Sequence, residues 1–134
     1  MKNKPKIKLY IPRHISFMYT LFALLLVPWT IYLAKTLPNR HIQRHWDITW
    51  VGLDIVIMVL LLLTGFFASI KSRLVIIALC VTASFLLVDA WFDITSSRPG
   101  EELLQAILLA IFIEVPLSII GFSLAYKIIN KNID

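Results

Sequence analysis

The sequence predicts an all-α, polytopic membrane protein, an antiparallel bundle of four transmembrane helices. Four long apolar runs fill most of the chain, each close to the roughly 20 residues that a helix needs to cross a bilayer. The composition agrees: 59% of the 134 residues are hydrophobic and 16% are charged, outside the range of ordinary soluble domains. The connections between runs are short, which makes consecutive helices antiparallel neighbours and leaves no room for a soluble catalytic module. Any chemistry therefore sits among the helices or at their ends.

The runs place helices at about 14–34, 48–70, 74–95 and 103–127, within one membrane domain spanning 1–134 that begins with a basic segment, 1–13. The first run resembles a secretory signal, because a basic stretch precedes it. Ile15 to Ala34 is nevertheless longer than a signal core of about 7–15 residues, and no small-residue cleavage site follows, so the expectation is a retained helix. Pro28 predicts a kink in it, and Trp29 and Tyr32 suit an interfacial anchor. Between Leu37 and Asp47 lies a strongly polar loop. A short helix after Pro38 would pair Arg40 with Arg44, and His41 with His45, at i,i+4 spacing. Two histidines can share a metal, but no third fixed ligand accompanies them, so the identity of any metal stays open.

Trp46, Trp50 and Trp91 fall near the ends of helices two and three, where an aromatic belt is expected. The stretch from Ile94 to Gly100 carries helix-ending residues, and Glu101 and Glu102 suit the first turn of helix four. Cys80, the single cysteine, excludes an intramolecular disulfide and a cysteine-based zinc site, and reads as a small apolar packer. No cofactor motif is present, so no cofactor is expected.

Charge sets the expected orientation. Nine positives, Lys2, Lys4, Lys6, Lys8, Arg13, Lys71, Arg73, Lys127 and Lys131, fall on one side, against four, Lys35, Arg40, Arg44 and Arg98, on the other. The positive-inside rule then puts both termini and the 71–73 turn in the cytoplasm, and the protein in the cytoplasmic (inner) membrane. The net charge of +5 comes from residues that flank helices instead of lining one groove, so nucleic acid is not an expected partner. The expected partners are the lipid bilayer and a second copy of the chain or a larger membrane complex.

Asp54, Asp89, Asp93 and Glu114 lie inside the apolar runs or at their ends. An ionised, unpaired acid at membrane depth costs about 2.5–3.5 kcal/mol or more, so such groups face a bundle interior where they pair, bind something or exchange protons. Asp54 is about six residues, or roughly 9 Å, inside the outer end of helix two, and Asp89 is about as far inside helix three. Antiparallel helices bring the two to one level. Asp47 precedes Asp54 by two turns and Asp93 follows Asp89 by one, giving two facing acidic ladders. Like charges that close share a proton or recruit a cation, an arginine or a histidine. Near the interface, Asp47 and Asp93 are expected to pair with Arg40, Arg44, Arg98 or a histidine, or to be solvated.

Glu114 is expected deeper, about 11 residues and roughly 16 Å into helix four. Its stripe, Ala110, Glu114, Ser118, Gly121 and Ala125, is made of small residues that let another helix approach. Pro116 removes a backbone donor two residues later, exposing polar backbone beside the acid. Matching inward stripes run from Asp54 through Leu61, Gly65 and Ala68, and from Asp89 back through Phe85, Thr82 and Ala78.

The segments His45 to Asp54, Val88 to Asp93 and Glu114 to Leu117 resemble a pattern of uncharacterised small bacterial four-helix membrane proteins with no assigned activity. The resemblance covers about residues 38–122 and implies the architecture and a shared outer-side acidic cluster, but no mechanism. Small multidrug exporters match in size only, since their key acid belongs in the first helix and this first helix has none.

The leading expectation is a site that binds or moves a cation, proton or small cationic ligand. Asp54, Asp89 and Asp93 would be ligands and Glu114 a deep protonatable group, supported by His41, His45, Asp47, Trp50, Trp91 and Pro116. A second is a non-catalytic accessory or assembly subunit, whose carboxylates form a structural network and whose Ser118, Gly121 and Ala125 meet a partner. The third, an intramembrane lipid-modifying enzyme, has neither a nucleophile nor a metal signature behind it, and the chain reads more as a non-enzyme.

Overall fold

Apolar runs of this length can satisfy their backbone hydrogen bonds in hydrocarbon only by winding into helices. A computed structural model describes residues 11–36 and 46–131, with backbone alone for Trp46 and Asp47. In it α1 spans Arg13–Thr36, α2 Trp46–Ser69 and α3 Leu74–Ser96. A fourth long helix is built from α4 (Glu101–Leu109), a π-helical turn (Ala110–Glu114) and α5 (Val115–Lys131). The described residues contain no strand, and the protein is an all-helical four-helix bundle. All four helices are long and apolar enough to cross a membrane. Less than half of each apolar window is buried inside the protein, leaving side chains such as Leu24, Phe66, Ile77, Phe112 and Tyr126 on the outer surface. That is the arrangement lipid demands. α1 continues as a helix through Pro28.

The α2–α3 connection is tight because Lys71 takes the left-handed conformation, φ 52°, that usually falls to glycine after a helix. The Ser72 amide donates to the Phe67 carbonyl at 3.0 Å and the Lys71 amide to the Ala68 carbonyl at 3.2 Å, which satisfies the last carbonyls of α2. Ser72 then starts α3, accepting at its Oγ from the Leu74 amide at 3.3 Å. At the other connection, Gly100 has φ 117°, a backbone region that side chains avoid. Glu102 reaches back to accept from the Arg98 amide at 3.1 Å, in the manner of a capping box.

Sequential neighbours pack together: α1 along α2, α2 along α3, and α3 along α5. α1 and the fourth helix come no closer than 8 Å between Cα atoms. Tyr19 bridges them. Its ring is 1% exposed, and its hydroxyl would stand 3.1 Å from a β-carbon placed on Gly121. The inward stripes read from the sequence are the buried ones: Leu61, Gly65 and Ala68 on α2, Ala78 and Thr82 on α3, and Ser118, Gly121 and Ala125 on α5. Phe85 is half-buried.

Lipid gives little hydrophobic drive between helices, so close fit and interhelical hydrogen bonds carry the association. Ser16 Oγ donates to the Gly65 carbonyl at 2.9 Å, joining α1 to α2. The Thr64 and Thr82 hydroxyls meet at 2.9 Å between α2 and α3, and Ser118 Oγ donates to the Ala83 carbonyl at 2.8 Å between α5 and α3. Ile57, Leu61, Leu86 and Leu117 form a continuous apolar core with Ile15, Tyr19, Val75 and Leu79.

Candidate functional site

The acids gather at the end of the bundle that carries the α1–α2 and α3–α4 connections. Helical phase is the cause. Asp89 and Asp93 are one turn apart on the inward face of α3, and Asp54 occupies the inward stripe of α2. Glu114 ends the π-helical turn of the fourth helix. One carboxylate oxygen from each of Asp89, Asp93 and Glu114 lies within 4.8 Å of the others. Asp54 is within electrostatic reach of all three. Asp54, Asp89 and Glu114 are 4%, 7% and 7% exposed, and Asp93 is half-buried.

Glu114 differs from the sequence expectation. It is not a separate, deeper group but stands level with Asp89. Ser118 meets Ala83, and Gly121 meets Leu79 and Ala83, and that register carries Glu114 to the level of Asp89. The first turn of α4 therefore projects past the end of α3, so depth counted from each helix's own end misleads. The π-helical turn closes with the Val115 amide on the Ala110 carbonyl, an i to i−5 bond. Its wider coil accommodates Pro116, whose ring in a regular helix would clash with the Phe112 carbonyl. The irregularity expected at Pro116 is thus a local widening at the acid itself.

The sequence leaves Asp93 two readings, a ligand in the acidic group with Asp89 or an interfacial residue that pairs with a cation or is solvated. In the structure it contributes an oxygen to the cluster, one turn from Asp89. Arg98 makes no ion pair with it, and Arg40, Arg44, His41 and His45 lie outside the described residues. Among the described residues no basic side chain pairs with any of the four acids. Asp89 Oδ1, Asp93 Oδ1 and Glu114 Oε2 are buried oxygens that no described group hydrogen-bonds. Asp54 is supported: Thr30 of α1 donates its hydroxyl hydrogen to Oδ2 at 3.2 Å. The sequence reading missed Thr30, although an isolated threonine near the end of an apolar run, level with a buried acid, was the available signal.

The aromatic residues divide. Trp50 is buried and its ring stacks obliquely on Phe92, with centroids 5.1 Å apart, one turn from both Asp54 and Asp89. Trp91 is 71% exposed, half a turn from both Asp89 and Asp93, and stands on the outer surface away from the cluster. Asp47 belongs to the first turn of α2, but its side chain is outside the description. The Ser118, Gly121 and Ala125 stripe, expected to meet a partner if the chain were an accessory subunit, is covered by α3 of the same chain.

A buried cluster of this kind has the elements of an oxygen-rich cation or proton site: converging acceptors, no described counter-charge, and one carboxylate oriented by a hydroxyl. Compared with family models, curated proteins and solved structures, the chain has no match, so the geometry alone carries the functional reading.

Proposed function

We propose that the chain is a small integral membrane protein whose outward-facing acidic cluster binds a cation, and that with a second copy or a partner it moves that cation or exchanges it for protons. The orientation follows the excess of lysine and arginine on the side of the termini. The observation that carries the reading is the convergence of Asp89, Asp93 and Glu114 within 4.8 Å, together with their buried, unbonded oxygens. A purely structural polar knot satisfies its acceptors, because each buried group left without a partner costs about 1–3 kcal/mol. Here only Asp54 has a described donor. Oxygens left over after folding support a ligand that is not part of the chain.

The test is thermal unfolding of the purified protein in detergent against a panel of Na⁺, K⁺, Mg²⁺, Ca²⁺, Mn²⁺ and tetramethylammonium at several pH values. A ligand of the folded state stabilises it by about 2.7 kcal/mol at a hundred times its dissociation constant. The expected result is saturable stabilisation that is lost in the Asp54→Asn/Asp89→Asn double variant. It should also shrink on acidification, since carboxylates bind cations in the ionised form and protons compete. No shift with any cation at any pH would make the cluster structural.

A further inference from the structure

Resting on that reading of the cluster as a cation site, we infer that Asp89, Asp93 and Glu114 are the ligands of one hard divalent cation, with Asp54 oriented by Thr30 as the fourth carboxylate beside it.

Ligand chemistry selects the class of ion. Among the described residues every converging donor is a carboxylate oxygen, and no histidine or cysteine belongs to the group. All-oxygen sites suit calcium, magnesium and manganese, whereas zinc and copper favour nitrogen or sulfur. The three donors, within 4.8 Å of one another, are close enough to converge on one such ion through small side-chain movements.

Charge gives a second reason. Asp89, Asp93 and Glu114 converge with no described basic partner, so a divalent ion balances more of their ionised charge than a monovalent one does. Burial gives an independent one. Asp89 and Glu114 are each more than nine-tenths buried and each keeps an oxygen with no hydrogen-bond donor among the described residues. The π-helical turn contributes position: it ends on Glu114 and delivers the third ligand from a helix otherwise lined by apolar and small residues.

Manganese is the probe, because its bound and free forms are distinguished by electron paramagnetic resonance. The full chain in detergent is stripped with chelator and titrated with Mn²⁺. The expected result is stoichiometric, saturable binding that Ca²⁺ displaces and Na⁺, K⁺ and tetramethylammonium do not. Asp89→Asn and Glu114→Gln should each weaken Mn²⁺ by at least about tenfold, the smaller effect usual even for residues that only support a metal ligand. Asp93→Asn, at the less buried position of the three, guards against a folding defect in the other two, and the exposed Glu101→Gln should bind as the wild type does. Binding unchanged in all three cluster variants would put the ion elsewhere and overturn the inference. Stabilisation by a monovalent or organic cation, without Mn²⁺ binding, would overturn the divalent assignment and leave the cation reading intact. No stabilisation by any cation would remove both.

Discussion

Thr30 and Asp54 are joined across the α1–α2 interface by a 3.2 Å hydrogen bond, with both side chains more than nine-tenths buried. This bond ties α1 to the acidic end of the bundle, where its backbone has no close approach to the fourth helix. Thr30→Val keeps the shape and removes the donor, leaving Asp54 without a described partner. The expected cost is about 1–3 kcal/mol, measured by unfolding in detergent, while Thr30→Ser should retain most of the stability. A double-mutant cycle with Asp54→Ala, which removes the acceptor, should show coupling between the two sites. Strict additivity would mean that the bond contributes nothing.

The glycines offer a contrast inside one fold. A β-carbon on Gly121 would stand 3.1 Å from Ala83 Cβ, and one on Gly65 would stand 2.8 Å from Thr20 Oγ1 and 3.2 Å from the Ser16 carbonyl oxygen. Nothing lies within 4 Å of a β-carbon on Gly52. Gly65→Ala and Gly121→Ala should therefore each destabilise by about 1–3 kcal/mol, as helices that cannot separate become overpacked. Gly52→Ala should be neutral or stabilise by up to about 1 kcal/mol through backbone entropy. Equal effects at the three positions, read from the unfolding midpoints, would contradict the close packing of α1 on α2 and of α5 on α3.

Much of this arrangement was legible in the sequence, and the exceptions share a cause. Four helices follow from the length of the apolar runs, and the inward stripes follow from period 3.6, so the burial of Asp54, Asp89 and Glu114 was predictable from each helix alone. What one helix does not contain is its register against another. Glu114 lies less deep than its count from the start of helix four suggests because α4 projects beyond α3. For Asp93 one helix leaves both cluster membership and interfacial pairing open, since phase favours the one and nearness to the helix end the other. Thr30 and Tyr19 were passed over for the same reason. Each acts across an interface, Thr30 on Asp54 and Tyr19 beside Gly121, and neither α1 pattern advertises its target. Pro116 announced an irregularity, but only the structure resolves it into a π-helical turn ending at the acid.

That turn makes a distinction between two prolines measurable. Pro116 follows Glu114 by two residues, and the widened coil before it avoids a clash that a regular helix would impose. Pro116→Ala removes the need for the widening, and an α-helical path through 110–114 turns the residues before it by about 100° relative to those after it. The variant should unfold at a higher temperature without cations, since an interior proline costs about 3 kcal/mol in a helix. It should also lose part of the cation-dependent increment if the turn, and not only the contact of Ser118 and Gly121 with α3, holds Glu114 beside Asp89 and Asp93. Pro28 lies inside α1 on an exposed position, and no carboxylate of the cluster is on that helix. Pro28→Ala should raise the cation-free midpoint while leaving the cation increment unchanged. If Pro116→Ala kept the full increment, packing against α3 alone would position Glu114, and the proline would have no part in the site.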